Sequence, residues 1–246
     1  MRYLILSDIH ANWEALQAVL ARARSRYDRI VCCGDLVGYG ADPDAVVRWV
    51  RENVEGIVRG NHDKACAGLE DLEWFNPVAR TSALWTQAVI QPEHADYLRA
   101  LAQGPERING FQILHGSPLD EDEYVTSERD VAQIAPYLDC SVSFFGHTHL
   151  QGAFLCHRNG IKRLPGVNPE TADDEIALEN DVNYLINPGS VGQPRDGDRR
   201  AGYALFDSDA GLVTLCRTEY DVAGAKKKII AAGLPELLAL RLEAGL

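Results

Sequence analysis

The stretch Arg2-Tyr3-Leu4-Ile5-Leu6-Ser7-Asp8-Ile9-His10 decides how the rest of the chain is read. Arg2 to Leu6 form a short apolar run of the kind that fills a fully buried strand. The run ends on a carboxylate, and two residues later comes an imidazole. In extended backbone side chains alternate with period two, which predicts that Asp8 and His10 project from one side. An oxygen and a nitrogen ligand pointing the same way make half a metal site.

The same grammar recurs along the chain. Ile30-Val31-Cys32-Cys33 runs into Gly34-Asp35, and Gly56-Ile57-Val58-Arg59 into Gly60-Asn61-His62-Asp63. Phe111 to Leu114 run into His115-Gly116, Ser141 to Phe145 into Gly146-His147-Thr148-His149, and Tyr184 to Ile186 into Asn187-Pro188-Gly189-Ser190. Each apolar run ends in ligand-type or backbone-donor residues. Open α/β sheets bind ligands in the loops at the carboxyl ends of their strands.

Between these runs the first part alternates. Strands at about 2–7, 29–33 and 56–59 are separated by helices at about 12–25 and 43–53. Asn12 caps the first helix, and Asp42-Pro43 opens the second in the cap and first-turn pattern. A βαβαβ order predicts parallel pairing with right-handed crossovers. Residues 64–104 read as a helical insert, with Val78, Ser82, Trp85 and Val89 on one stripe and a second helix starting near Pro92. Two strands near 106–115 follow, then a polar segment from Pro118 to Ser127 and a helix near 128–137. Beyond His149 the pattern turns to strands, near 151–157, 160–164, 182–187, 201–207 and 211–217. Gly166 to Asp181 is acidic and reads as a mobile surface loop, and residues 221–245 read as helical. This is an α/β chain in one domain spanning 1–246. Two sheets packed face to face, with helices outside, absorb the order.

Composition narrows the function. Lys and Arg number 24 against 36 Asp and Glu, a formal charge of −12. That argues against a duplex nucleic-acid binder held by phosphate neutralisation. The six cysteines form no CxxC pair, and adjacent Cys32 and Cys33 face opposite sides of a strand. Reduced thiols in a cytoplasmic protein are expected, with no signal peptide and no membrane span. Lys226-Lys227-Lys228 reads as a solvated helix face.

Five of the seven histidines, His10, His62, His115, His147 and His149, sit at predicted strand ends beside Asp8, Asp35 and Asn61. This is nitrogen and oxygen chemistry without thiolate, which suits Mn, Fe, Co, Ni or Zn and not a closed structural zinc site. The donors outnumber what one tetrahedral ion needs. Two divalent ions roughly 3.5–4 Å apart, bridged by one carboxylate, use them and form a clamp for in-line phosphoryl displacement. Set against Asp8, Asp35 and a shared hydroxide, two such ions leave the core at about +1, which suits a phosphate ester.

Asp8-x-His10, Gly34-Asp35, Gly60-Asn61-His62-Asp63, His115 and Gly146-His147-Thr148-His149 resemble, in order, the motifs of the calcineurin-like metallophosphoesterase superfamily. Gly34 to Gly40 and Asn187 to Gly192 resemble its small bacterial and archaeal phosphodiesterase-like branch. The resemblance implies a four-layer α-β-β-α sandwich with two mixed sheets. It implies that Asp8, His10 and His149 hold one ion, that Asn61, His115 and His147 hold the other, and that Asp35 bridges them. It implies that His62 faces the substrate and serves the leaving oxygen, oriented by Asp63. The implied activity is hydrolysis of small phosphodiesters or phosphomonoesters through a dinuclear metal-bound hydroxide, with manganese among the suitable ions. The alternatives are a hydrolase specific for cyclic nucleotides or dinucleoside polyphosphates, and a non-catalytic scaffold or sensor on the same fold.

Two departures point away from phosphoprotein phosphatases. Gly38-Tyr39-Gly40 stands where that branch carries Asp-Arg-Gly, and His115-Gly116-Ser117-Pro118 lacks a second His. Phosphate gripping then falls to Arg80 or Arg195, with Asn187 and Ser190 as further candidates. The competing reading of Arg195 is a turn salt bridge with Asp196 or Asp198. A small phosphate ester is the expected partner, with neither duplex nucleic acid nor membrane, and a homo-oligomer stays open.

Overall fold

A computed structural model describes residues 1–246, the side chain of Trp74 apart. The first half runs β1 (Arg2–Leu6), α1 (Trp13–Ala23), β2 (Arg29–Cys32), α2 (Pro43–Asn53), β3 (Gly56–Ile57), α3 (Asn61–Cys66), α4 (Pro77–Val89), α5 (Pro92–Ala100), β4 (Glu106–Ile108) and β5 (Phe111–Ile113). The second half runs α6 (Glu128–Ile134), β6 (Val142–Phe144), β7 (Gly152–His157), β8 (Gly160–Pro165), β9 (Asp173–Ala177), β10 (Asn183–Asn187), β11 (Ala201–Asp207), β12 (Leu212–Thr218), α7 (Val222–Ala231) and α8 (Glu236–Ala244).

Two six-stranded sheets form, ordered β3-β2-β1-β11-β12-β9 and β4-β5-β6-β10-β7-β8. Both are mixed. β1, β2 and β3 are parallel, as are β5, β6 and β10, and the remaining pairs are antiparallel.

β1 shows why the layers stack. Tyr3 and Ile5 join Phe111, Phe144, Tyr184 and Phe206 in the core between the sheets. Leu4 and Leu6 face the other way, onto Leu16, Val19, Val46 and Val50 of α1 and α2. A strand buried on both faces has no polar position to spare. The Tyr3 and Phe111 rings meet edge-on at 4.9 Å, a contact worth roughly 0.5–1.5 kcal/mol beyond its buried area. Cys32 and Cys33 fall in different layers, as alternation requires. α6 covers the second sheet through Val131 and Ile134, and α7 and α8 pack against Tyr39 and α4. Among the described residues no helix is long and apolar enough to cross a membrane.

Four expectations need correction. Asp173–Ala177, inside the stretch expected to be a mobile loop, is a strand paired antiparallel with β12. Only Ile176 of its five residues is buried, so an edge strand this polar carries almost no periodic signal. The helical insert begins at Asn61, not near 64, so the third strand is cut to two residues. Of the expected stripe Val78, Ser82, Trp85 and Val89, α4 buries only Ser82, together with Ala79, Ala83 and Thr86, because small residues let the helix approach closely. Asp42 precedes α2 but makes no side-chain cap; its carboxylate binds Lys228 of α7 at 2.7 Å.

Candidate metal centre

Six of the candidate ligands come from loops after strands, and the seventh, Asn61, is the first residue of α3. Asp8 and His10 follow β1, Asp35 follows β2, His115 follows β5, and His147 and His149 follow β6. The strand ends at Leu6, so Asp8 and His10 do not leave it by alternation. Both sit in the left-handed region, with φ of 51° and 49°. Asp35, His147 and His149 do the same, with φ between 55° and 65°. Each such residue costs about 1 kcal/mol or more and persists only where its surroundings over-determine it.

The determining bonds are visible. Asp8 and His10 donate their N–H groups to the carbonyls of Gly34 and Asp35, and Gly192 donates to the Asp8 carbonyl. Backbones this close leave no room for side chains. A Cβ on Gly60 would collide with the Asp35 carboxylate.

Six ligand-type side chains converge in two groups that share one residue. The carboxylate or imidazole atoms of Asp8, His10, Asp35 and His149 lie within 4.8 Å of one another, and so do those of Asp35, His115 and His147. Asp35 Oδ2 lies 3.6 Å from His10 Nε2 and 3.5 Å from His115 Nε2. Asn61 Oδ1 joins the second group, 3.4 Å from His115 Nε2.

The donor set fits cations. Nδ1 of His10, His115 and His149 lies against the carbonyls of Val37, Cys33 and Gln193. A carbonyl only accepts, so Nδ1 carries the proton and Nε2 offers its lone pair. His147 is reversed: its Nε2 donates to the Asp122 carbonyl at 3.0 Å, which leaves Nδ1 as the ligand atom. Nε2 of His10 and His149 face each other at 3.1 Å, a repulsive arrangement that a shared cation makes favourable. Asp35 Oδ2 is buried without a hydrogen-bond donor.

Burial pushes His10 and His149 well below the usual imidazole range and His147 to about 3, keeping all three neutral. His115 differs: burial works against the charge, but Asp35 outweighs it and draws the imidazole up to about 10, so a cation beside Asp35 would take the place of that proton on Nε2. Burial raises Asp8 to about 6.

Residues 1–211 match the calcineurin-like phosphoesterase superfamily domain. The chain belongs to the calcineurin-like phosphoesterase superfamily. It is 38% identical to the uncharacterized protein MJ0912 of Methanocaldococcus jannaschii over 98% of this chain and 97% of that protein. It is similar to the crystal structure of a metallophosphoesterase from Sphaerobacter thermophilus, with a TM-score of 0.88 and 40% identity over 100% of this chain and 99% of that one. The hypothetical protein PH1004 of Pyrococcus horikoshii OT3 shares the fold, with a TM-score of 0.78 and 19% identity over 100% and 98% of the two chains.

In this member of the superfamily His62 stands beside the ligands. Its backbone N–H donates to Asp35 Oδ1 at 2.8 Å. Its Nδ1 is buried without a partner, and a Cβ on Gly38 would come within 2.6 Å of that atom, so Nε2 is the nitrogen left for the cleft. Asp63 does not orient the ring. Its carboxylate accepts from the backbone N–H groups of Asp35, Leu36, Val37 and Gly60, which fastens the Asp35 loop to the start of α3. Its place at the third position of α3 aims it back over the helix N-terminus.

Asn187 and Ser190 frame the loops of this phosphoesterase-superfamily site. Asn187 Nδ2 donates to the Gly146 carbonyl and Thr148 Oγ1. Ser190 Oγ donates to the Asp8 carbonyl. Arg80 is exposed on α4 and is not among the residues lining the cleft. Asp196 is taken by Arg217 and Asp198 by Arg200, so neither forms the turn salt bridge considered for Arg195. Arg195 instead lies over the Tyr39 ring, with Nη2 3.3 Å from the Tyr39 hydroxyl and 3.2 Å from Gln193 Oε1.

Tyr39, Glu70, Phe75, Asp122 and Tyr124 line a cleft of about 290 Å³ above His62 and His147. Sequence reasoning did not assign these residues to the site. They lie in loops without periodicity, and only the position of Tyr39 inside a glycine-flanked motif marked any of them.

Proposed function

We propose that the protein is a metal-dependent phosphoesterase that hydrolyses small phosphodiesters and phosphomonoesters. The single observation that carries this reading is Asp35, one carboxylate shared by two groups of ligands. Asp8, His10 and His149 would hold one ion, Asn61, His115 and His147 the other, and Asp35 both. Two such ions supply Lewis acidity and bring the pKa of water toward neutrality. Manganese, iron, cobalt, nickel and zinc all suit nitrogen and oxygen donors without thiolate.

The chain's own residues do the rest. His62 presents Nε2 to the cleft, where it can hold a proton at the departing oxygen. Arg195 pairs with no carboxylate among the described residues, and its charge reaches Asp8. It grips a phosphate oxygen, the task that Gly38-Tyr39-Gly40 cannot perform. Small esters fit a chain with a formal charge of −12, whereas duplex nucleic acid does not. The six free cysteines fit a cytoplasmic protein.

The test is hydrolysis of bis(p-nitrophenyl) phosphate by protein stripped of metal and reloaded with manganese. Activity that returns with metal and disappears in His62→Ala supports the reading. Turnover that survives exhaustive chelation, or metal-loaded protein inert toward every ester, overturns it. The inert outcome would favour a scaffold built on the same fold.

A further inference from the structure

The cleft over the metal centre is lined by rings and by carboxylates. Three rings border its histidines. The Tyr39 centroid is 4.3 Å from that of His62, Phe75 meets His62 edge-on at 5.5 Å, and Tyr124 lies 4.0 Å from His147. Tyr124 is 54% exposed, so its ring does not serve the core. It hangs over the floor of the cleft with a face free to stack.

Next to these rings stands a wall of carboxylates. Lys64 Nζ lies 2.7 Å from Asp122, 3.0 Å from Glu121 and 3.6 Å from Glu70. Arg59 binds Glu121 at 2.9 Å. Two cations face three anions, so this wall keeps a net negative charge. Of the three carboxylates, Glu70 and Asp122 line the cleft itself. Glu70 Oε2 meets Lys64 Nζ only at 3.6 Å, and 31% of the Glu70 side chain is exposed. Arg195 lies against Tyr39, behind the residues that line the cleft.

A departing group that carries further phosphates would enter against like charge, with Lys64 and Arg59 already paired. A planar, uncharged group bearing N–H donors meets ring faces and a carboxylate instead. The cleft volume of about 290 Å³ is at the lower end of ligand pockets, near ~300 Å³, and accommodates one ring system.

We infer that this cleft selects phosphodiesters whose leaving oxygen belongs to an uncharged nucleoside, with the base stacked on Tyr124 and Phe75, its amino protons toward Glu70, and polyphosphate leaving groups excluded by Glu70 and Asp122. The inference rests on the phosphoesterase reading above. In the reaction, water supplies a hydroxyl to phosphorus, the bond from phosphorus to the sugar oxygen breaks, and the second proton of the water goes to that oxygen.

The test uses the full chain loaded with manganese and three probes. Adenosine 2′,3′-cyclic phosphate and ethylene phosphate share a five-membered cyclic diester, and only the first has a base. Diadenosine tetraphosphate has an anionic leaving group. The expected kcat/KM for the cyclic nucleotide exceeds that for ethylene phosphate by at least roughly tenfold, as one stacked base would provide. Tyr124→Ala and Phe75→Ala each lower that ratio by about the same factor. The double change Glu70→Gln, Asp122→Asn raises the rate on the tetraphosphate relative to the cyclic nucleotide. Because Tyr124 is exposed, its variant stays folded even where loss of Phe75 perturbs packing.

Equal rates on the two cyclic diesters, a ratio unmoved in Tyr124→Ala, or a preference for the tetraphosphate overturns the inference while bis(p-nitrophenyl) phosphate is still hydrolysed. If metal-loaded protein hydrolyses no ester at all, the phosphoesterase reading has failed, and this inference fails with it.

Discussion

Oδ2 of Asp35 lies 3.5 Å from Nε2 of His115, buried and without a hydrogen-bond donor. The same oxygen lies 3.6 Å from Nε2 of His10, so one atom faces both ligand groups. Asp35→Asn keeps the shape and removes the charge. We expect metal content to fall from two ions toward one or none, measured by elemental analysis, with kcat/KM lower by at least about 10³-fold. Full occupancy of two ions in this variant would rule out a bridging role.

His62→Ala separates chemistry from metal binding. The bond from residue 62 to Asp35 comes from the backbone N–H, which alanine retains. Only the ring facing the cleft is lost. The expected outcome is unchanged metal content with kcat lower by about 10²–10⁴-fold, the usual contribution of a positioned proton donor. Loss of metal together with activity would mean that the ring belongs to the ligand shell.

Asp63→Ala is expected to act through stability. Four backbone N–H groups lose their acceptor at once, and they are buried. The cost is roughly 2–4 kcal/mol, read from the shift in chemical denaturation. A variant as stable as the parent, with only its activity reduced, would restore the view that Asp63 orients His62.

Acid sensitivity is expected at Glu121. Burial tends to raise its carboxyl, but Arg59 and Lys64 outweigh that and hold it below the ordinary carboxylate value. A depressed carboxyl contributes stability that is present above its unfolded value, about 4.3, and is lost as pH falls through the lower native value. Glu121→Gln should therefore flatten the decline in denaturation midpoint below about pH 4.5. An unchanged acid slope would place the dependence elsewhere.

His157 and His94 lie outside the site. His157 is exposed at the end of β7, and His94 is buried with Nδ1 2.5 Å from Asp44 Oδ1. Replacing either with alanine should leave kcat/KM within about twofold, while His94→Ala alone lowers the melting temperature. A large loss of turnover in His157→Ala would show that a ligand has been misassigned.

The seven proposed metal ligands and the two-sheet architecture were legible in the chain because strand ends leave a local mark. An apolar run stops and a ligand residue follows, with a glycine just before it at Asp35, Asn61 and His147. The pattern recurred at Asp8 and His115 without that glycine, and nowhere did it need any knowledge of which strands would neighbour. Burial on both faces was legible too, since Leu4-Ile5-Leu6 has no polar position. What local pattern could not carry is how the loops turn. Asp8 and His10 converge through left-handed backbone held by bonds to residues 34, 35 and 192, not by strand alternation.

Tertiary structure alone decided three further matters. Asp63 serves four amides instead of its neighbour His62, because the Asp35 loop is folded onto the start of α3. β9 exists because β12 offers it an edge, although its own residues are mostly exposed. Glu70 and Phe75, from the connection between α3 and α4, meet Tyr124, from the loop before α6, over the metal centre. Short-range order in a sequence records which residues a strand or helix buries. Contacts between loops depend on where the finished layers leave them, and that information belongs to the packed molecule.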